Sequence, residues 1–179
     1  MWEKLSEVIR LIKSAVLTLS DKGFTGQRND ESGKIIIKML EKIDAIVEYY
    51  KILPDEFDLI RDELVNLSDK GYDLVVTTGG TGVSPRDVTP EATLSIIEKR
   101  LHGMEIAMIN ESLRHTPFGM LSRAVVGVRK QTLIINLPGS PKAVQENLQV
   151  ILPVIPHAVE KIKGSTIDCA QKMVKDNEG

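Results

Sequence analysis

The stretch 77–93 (TTGGTGVSPRDVTPEAT) gathers residue types suited to holding phosphate. Gly79, Gly80 and Gly82 let the backbone take conformations closed to other residues, and let a ligand approach main-chain N–H groups. Successive N–H groups turned into one concavity make an anion site. Thr77, Thr78, Thr81 and Ser84 add hydroxyl donors. Arg86 has the planar fork that clamps phosphate bidentately. Asp87 carries the wrong charge to bind phosphate directly. A carboxylate beside a phosphate cradle is explained by a metal ion between the two, and magnesium prefers one or two carboxylates plus phosphate oxygens. The stretch is not a Walker A loop, because no Gly-Lys-Ser/Thr follows. Nor is it the dinucleotide fingerprint: Gly80 and Gly82 match its first two glycines, but Pro85 holds the third place. A plain strand-to-helix turn, with Thr89 as cap and Pro90 in the first helical turn, would use the same glycines. The combination of GGTG, Arg-Asp and Thr-Pro-Glu in one loop is what favours the phosphate reading.

A loop of this kind has to be carried by a strand and a following helix. Apolar runs at 15–19 (AVLTL), 43–50 (IDAIVEYY), 74–78 (LVVTT) and 133–137 (LIINL) read as buried strands. Segments with helical spacing lie between them. Residues 32–41 place Ile36, Ile37 and Leu40 on one side, 57–67 place Leu59, Ile60, Leu64 and Leu67, and 91–99 place Ala92, Leu94, Ile96 and Ile97. A further helix opens at Pro141. This alternation predicts a three-layer α/β/α domain with a mainly parallel central sheet. Within 100–131, residues 104–110 read as helix and 116–120 as a turn, while 121–128 fits helix or strand. Pro153 and Pro156 interrupt the last apolar stretch, which predicts a short packing helix ending near Gly164.

In such sheets ligands bind outside the carboxyl ends of the strands. That rule selects the loops 20–30, 54–55, 79–90 and 138–141, all rich in Gly, Pro, Ser, Asp or Asn. Some of these residues have a purely local reading as well. In Pro-Asp-Glu, Asp55 reads as a helix cap with Glu56 favouring the helix dipole, and Asp30 or Ser32 reads as the cap of the helix after 31.

Bulk properties narrow the function classes. The chain has 179 residues, enough for one domain with a sizeable core. Apolar residues make up 42% and charged residues 27%, the balance of a globular protein. A net charge of -2 gives no electrostatic reason to expect nucleic acid or an anionic membrane as partner. Residues 1–13 mix charges into an amphipathic pattern unlike a signal peptide, and no stretch approaches the roughly 20 apolar residues of a membrane span. The single cysteine, Cys169, lies in a polar tail and cannot form an internal disulfide. His102, His115 and His157 are too scattered for zinc-type spacing. The cytoplasm is the expected location.

The stretch 77–93 resembles the signature of molybdenum-cofactor proteins of the Mog, MoaB and gephyrin G-domain type. Three further segments agree: 17–33 (LTLSDKGFTGQRNDESG), 52–60 (ILPDEFDLI) and 121–147 (LSRAVVGVRKQTLIINLPGSPKAVQEN). The resemblance spans residues 14–163 as a single domain, leaving 1–13 as an amphipathic helical extension and 164–179 as a polar tail. It implies the three-layer α/β/α fold, usually assembled as a homotrimer, and molybdopterin adenylyltransferase activity. In that reaction the terminal phosphate of molybdopterin attacks the α-phosphate of ATP, and pyrophosphate leaves. Carried over by motif, Asp55 and Asp87 match the catalytic acids, and Gly79, Gly80, Thr81 and Gly82, with Thr78 before them, match the nucleotide loop. Magnesium is expected on Asp87, with Asp55 as its second carboxylate. Gly139 and Ser140 are expected to complete the nucleotide pocket. Ser20, Asp21, Asp30, Arg86, Ser122 and Arg123 are expected on the substrate side, with Thr25 a further contact. A downstream molybdate-insertion protein is the partner such a product implies.

Other readings share these motifs. A MoaB-type protein would bind molybdopterin without robust catalysis, although the stretch 128–131 (VRKQ) is more Mog-like. A trimeric binding or scaffold module belongs to a different class, as does a nucleotide-cleaving hydrolase related to the competence-damage proteins, which has the Gly-rich loop too.

Overall fold

The computed structural model of the protein describes residues 11–165, so the expected helix at 1–13, the tail at 164–179 and Cys169 fall wholly or mostly outside the described residues. The order of elements follows the predicted alternation. Strand β1 (Ile12–Leu19) leads through the short α1 (Asp21–Phe24) and α2 (Ser32–Leu40) to β2 (Ala45–Leu53), then α3 (Phe57–Asp69) and β3 (Leu74–Thr78). Next come α4 (Thr89–Leu94), β4 (Lys99–Arg100), α5 (His102–His115), β5 (Val126–Arg129), β6 (Thr132–Leu137), α6 (Pro141–Ile151) and α7 (Ile155–Ile162). The strands form one sheet in the order β2-β1-β3-β6-β5-β4. The first four are parallel, and β5 and β4 are antiparallel to their neighbours.

The alternation of side chains along each strand sorts them into two cores, because successive residues point to opposite faces. Val16, Leu74, Val76, Leu133, Ile135 and Leu137 face one layer, where α2, α5, α6 and α7 contribute Ile36, Met108, Leu148 and Ile155. Ala15, Leu17, Val75 and Ile134 face the other, where α3 and α4 contribute Ile60, Leu64, Leu67 and Ala92. Both faces are covered, which is why β3 and β6 read as unbroken apolar runs.

Two boundaries differ from expectation. The helix read over 91–99 stops at Leu94, and the chain crosses to β4, where Lys99 pairs with Val128 and Arg100 with Gly127. Ile97 lies against Gly127, where a Cβ would come within 2.8 Å of its Cγ2 and 2.9 Å of the Lys99 carbonyl oxygen. The β-branched pair Ile96-Ile97 therefore serves a sheet edge rather than a helix face. The strand read over 43–50 begins later, at Ala45, because α2 runs into a 3-10 turn at Glu41–Ile43 closed by Asp44 in the left-handed region. The ambiguous 121–128 resolves as loop and then strand. It ends in a two-residue hairpin in which Lys130 has φ 52°. Strand β2 also carries one extra residue: Ser14 pairs with Val47 but Ala15 with Tyr49, leaving Glu48 unmatched.

Asn136 is a polar anchor inside this core. It is fully buried, its amide donates to Thr77 Oγ1 and Thr93 Oγ1 at 3.0 Å each, and its Oδ1 accepts from the Val125 N–H at 3.3 Å. It thereby ties β3, α4 and the approach to β5 to one side chain. Asn136→Ala should lower the unfolding free energy by about 2–4 kcal/mol, because it leaves a buried N–H and hydroxyls without their partner. Urea denaturation followed by circular dichroism measures this, and a loss below 1 kcal/mol would contradict it.

Candidate active site

The topology decides where the site lies. Strand β1 feeds α2 on one face and β3 feeds α4 on the other, so the loops leaving their carboxyl ends diverge and open a crevice. The four loops selected from the sequence converge there around a cleft of about 500 Å³. Its wall includes Ser20, Asp30, Asp55, Thr78, Gly139 and Ser140, together with Gly79 and Gly80.

The glycine loop is pinned at its start. Gly79 has φ 100° and Gly80 φ 62°, both in the left-handed region. A Cβ on Gly79 would run into the carbonyl oxygen of Leu19 at the end of β1, and one on Gly80 would meet the Thr89 hydroxyl. The Gly79 N–H donates to the Leu137 carbonyl at 3.2 Å, and the Thr89 N–H to the Gly80 carbonyl at 3.2 Å. The hydroxyl of Thr89, expected to cap α4, instead donates to the Gly79 carbonyl at 3.0 Å, because the loop folds back over it. That of Thr78 donates to the Pro138 carbonyl at 2.7 Å, which joins this loop to the one after β6. Among the described residues the N–H groups of Gly80, Thr81 and Gly82 donate to nothing. They are the free donors that an anion cradle needs.

Asp55 does not cap α3, whose first turn has no side-chain cap at all. Its Oδ2 accepts from the Asp21 N–H, and the Asp55 N–H donates to Asp21 Oδ1, both at 3.1 Å. Its Oδ1 is buried with no hydrogen-bond partner, 3.0 Å from where a Cβ on Gly80 would stand. Burial pushes the Asp55 carboxyl above the usual range; the charges of Asp21 and Asp87 push the same way, and the Asp21 N–H opposes them. A buried carboxylate oxygen without a donor fits a hard cation, and the oxygen-only chemistry suits magnesium. No group of three or more His, Cys, Asp or Glu converges on a metal among the described residues. Magnesium sites that draw on substrate phosphates do not require one.

Asp87 lies against the glycine loop, outside the residues that form the cleft wall. Its Oδ2 accepts from the Ser84 N–H at 2.8 Å and sits 2.9 Å from where a Cβ on Gly82 would be. Arg86 is engaged by carboxylates at the mouth. It meets Asp21 through Nε at 3.1 Å and Nη2 at 2.9 Å, and Glu56 through Nη1 at 2.8 Å. These contacts hold the Asp21 carboxyl below its usual range. Arg123 does not line the cleft. Its Nε donates to the Gly82 carbonyl at 2.6 Å and its Nη2 to the Asp87 carbonyl at 2.7 Å, and it pairs with Glu91. It braces the glycine loop from behind, and neighbouring Ser122 lies off the cleft with it.

Asp30 borders the cleft but is heavily bonded within the fold. Its Oδ2 accepts from Thr18 Oγ1 at 2.6 Å and from the Tyr50 hydroxyl at 2.5 Å, and its Oδ1 from the Gly33 N–H at 3.0 Å. Burial, then the bond to Asp30, pushes the Tyr50 hydroxyl up to about 12. Ser20 accepts from the Gly23 N–H as cap of α1, and Ser140 from the Ala143 N–H as cap of α6. Thr25 is exposed and donates to the carbonyls of Asp21 and Lys22. The cleft wall also contains Arg28 and Ser32, which spacing did not single out; Ser32 Oγ donates to the Gly139 carbonyl at 2.9 Å. No described helix is long and apolar enough to cross a membrane.

Comparison with known proteins bears on what this geometry serves. Residues 15–157 match the family model described as "probable molybdopterin binding domain". A protein of Helicobacter pylori named molybdopterin adenylyltransferase is 41% identical over 170 residues, covering 93% of this chain and 97% of its own. Gephyrin of Dictyostelium discoideum is 45% identical over 154 residues, covering 80% of this chain, which spans only 21% of gephyrin's length. The crystal structure of the molybdopterin biosynthesis enzyme MoaB from Thermus thermophilus superposes with a TM-score of 0.82 at 44% identity, covering 87% of this chain and 98% of that one.

The raised carboxyl of Asp55 carries a sign for stability. The folded state holds that proton more tightly than the unfolded chain, so stability falls as pH rises from the unfolded value of 3.8 through the higher folded value. Above that window the ionised group is a standing cost to the free protein. Asp55→Asn should therefore raise the melting temperature at pH 7 by roughly 1–4 °C, with the gain vanishing below the unfolded pKa. Calorimetry of both proteins from pH 3 to 8 reads this out, and a lower melting temperature for the variant at neutral pH would refute it.

Proposed function

The chain belongs to the family of molybdopterin-binding proteins of molybdenum-cofactor biosynthesis, and on that footing we propose that it is a molybdopterin adenylyltransferase. It transfers AMP from ATP to the terminal phosphate of molybdopterin. The observation that carries this reading is the buried, unpartnered Asp55 Oδ1 set against Gly80, beside the free N–H groups of the glycine loop at one cleft. The likeness to the Helicobacter enzyme over nearly its whole length supports it. The functional unit is the single domain spanning 14–163.

In the transfer, an oxygen of the molybdopterin terminal phosphate bonds to the α-phosphorus of ATP. The bond from that phosphorus to the bridging oxygen breaks, and pyrophosphate leaves. Several negative charges meet, so catalysis rests on positioning and charge neutralisation. The N–H groups of Gly80, Thr81 and Gly82 donate to phosphate oxygens, while Gly79 and Thr78 hold the loop against its neighbours. Gly139 and Ser140 close the nucleotide side at the start of α6. Ser20, Asp21 and Asp30 shape the substrate side, and Arg123 acts through the loop it braces. Arg86 reaches phosphate by exchanging its carboxylate partners, a small cost for an exposed pair. Asp87 and Asp55 would hold magnesium, which would supply charge neutralisation to the phosphates and the leaving pyrophosphate. Neither Asp is a nucleophile.

The reading extends to assembly and location. Ile106, Leu113, Phe118, Met120 and Leu121 are exposed apolar side chains on α5 and the turn after it, a surface suited to a homotrimer. The adenylylated product passes to a molybdate-insertion protein, and the reaction takes place in the cytoplasm. The likeness to MoaB supports a second reading, molybdopterin binding without robust turnover.

Incubation with molybdopterin, ATP and magnesium should yield adenylylated molybdopterin and pyrophosphate. Molybdopterin binding without product would favour the second reading, and ATP hydrolysis without molybdopterin would favour a hydrolase. Asp87→Asn should keep the fold by circular dichroism and lower turnover by about 10²–10³-fold, since the amide matches the carboxylate in shape but not charge. Undiminished turnover in that variant would remove Asp87 from the mechanism.

A further inference from the structure

Among the described residues the arginines fall into two groups. Arg61, Arg86, Arg100, Arg114, Arg123 and Arg129 are each ion-paired to a carboxylate. Arg28 alone has no hydrogen bond or ion pair, although Asp30 and Glu31 are close in sequence. It is also the only cationic residue in the wall of the cleft, which otherwise carries the acids Asp30, Glu31 and Asp55. An exposed arginine surrounded by carboxylates would ordinarily pair with one.

Two of those acids are already engaged within the fold, and Glu31, exposed, makes no ion pair with Arg28. Three donors within the fold already meet Asp30. Asp55 is met on one oxygen by the Asp21 N–H, and its other oxygen faces Gly80. A dianionic phosphate entering this cleft would meet acids on its wall and one uncommitted fork of five N–H donors. The same cleft wall holds Gly139 and Ser140, at the start of the eleven-residue α6, whose dipole adds positive potential.

We propose that Arg28 is the specificity residue that grips a terminal phosphate group in the cleft, either the phosphate of molybdopterin or the γ-phosphate of ATP. The proposal rests on the adenylyltransferase reading for its substrates. Arg28 makes no hydrogen bond or ion pair within the fold, so its removal breaks no polar contact of the scaffold and acts on affinity.

The test uses Arg28→Gln and Arg28→Lys in the full chain, with Arg61→Gln as a control on an exposed arginine of α3. Molybdopterin and magnesium-ATP are titrated separately by calorimetry, and steady-state KM is measured for each. Arg28→Gln should weaken binding of one substrate about tenfold or more, with the same rise in its KM, kcat within about threefold, and an unchanged melting temperature. Arg28→Lys should recover part of the loss, because it keeps the charge but not the fork. The substrate that weakens identifies the phosphate. Unchanged affinity for both substrates would overturn the proposal, as would a fall in kcat alone. Equal weakening of both, the mark of a general electrostatic effect, would overturn it too. If the wild-type protein forms no adenylylated product, the transferase reading fails, and the two titrations still decide the role of Arg28.

Discussion

The site depends on one steric constraint: at the start of the loop after β3, the backbone lies too close to its neighbours for any side chain. Gly79 passes against the carbonyl end of β1, and Gly80 is wedged between the Thr89 hydroxyl and the Asp55 carboxylate. Two consecutive residues with positive φ turn the chain there, and the N–H groups that follow are left without partners. The same approach lets the four loops share one cleft, because the loop after β3 bonds to the end of β6 and the loop beyond it, and through Arg86 to Asp21 in the loop after β1. A methyl group at either glycine would push those walls apart before it met a ligand.

A second theme is the placement of charge. The fold satisfies most of its acids locally: Asp30 by three donors, Asp21 by Arg86, and Glu105 by Arg100 and the Val126 N–H. Asp55 is the departure, with one oxygen buried and unmet. Such an oxygen costs stability in the free protein and becomes useful only when a positive partner arrives. Arg28 is the complementary case, a cation left without an acid. The two are borders of the same cleft, so its electrostatics are incomplete in matching ways.

Much of this was legible in the residues, for identifiable reasons. Strands β3 and β6 are covered on both faces, so their apolar runs are continuous and hard to mistake. The loops carrying Gly79, Asp55 and Ser140 follow from the strand ends, which locate the crevice before any motif is considered. The helix read through Ile96 and Ile97 failed because short apolar spacing does not separate a helix end from an edge strand. Its partner, Gly127, lies too far along the chain to enter a local pattern. Capping by Thr89 failed because its hydroxyl is claimed by a carbonyl ten residues earlier. Arg28 carried no signal in spacing at all, since what distinguishes it is that every other described arginine has found an acid.

The unmatched Glu48 in β2 has an effect out of proportion to its size. In an uninterrupted pleat Val47 and Tyr49 would share a face and Tyr50 would look towards α3. The extra residue reverses that parity. Tyr49 joins the core under α3, Lys51 reaches Glu63 on that helix, and Tyr50 swings to the opposite side, where its hydroxyl meets Asp30. An irregularity at the middle of an edge strand thus aims a phenol at the rim of a cavity several residues away. A strand that kept Glu48 but paired without the bulge would turn the phenol from the cavity without altering a single residue that lines it.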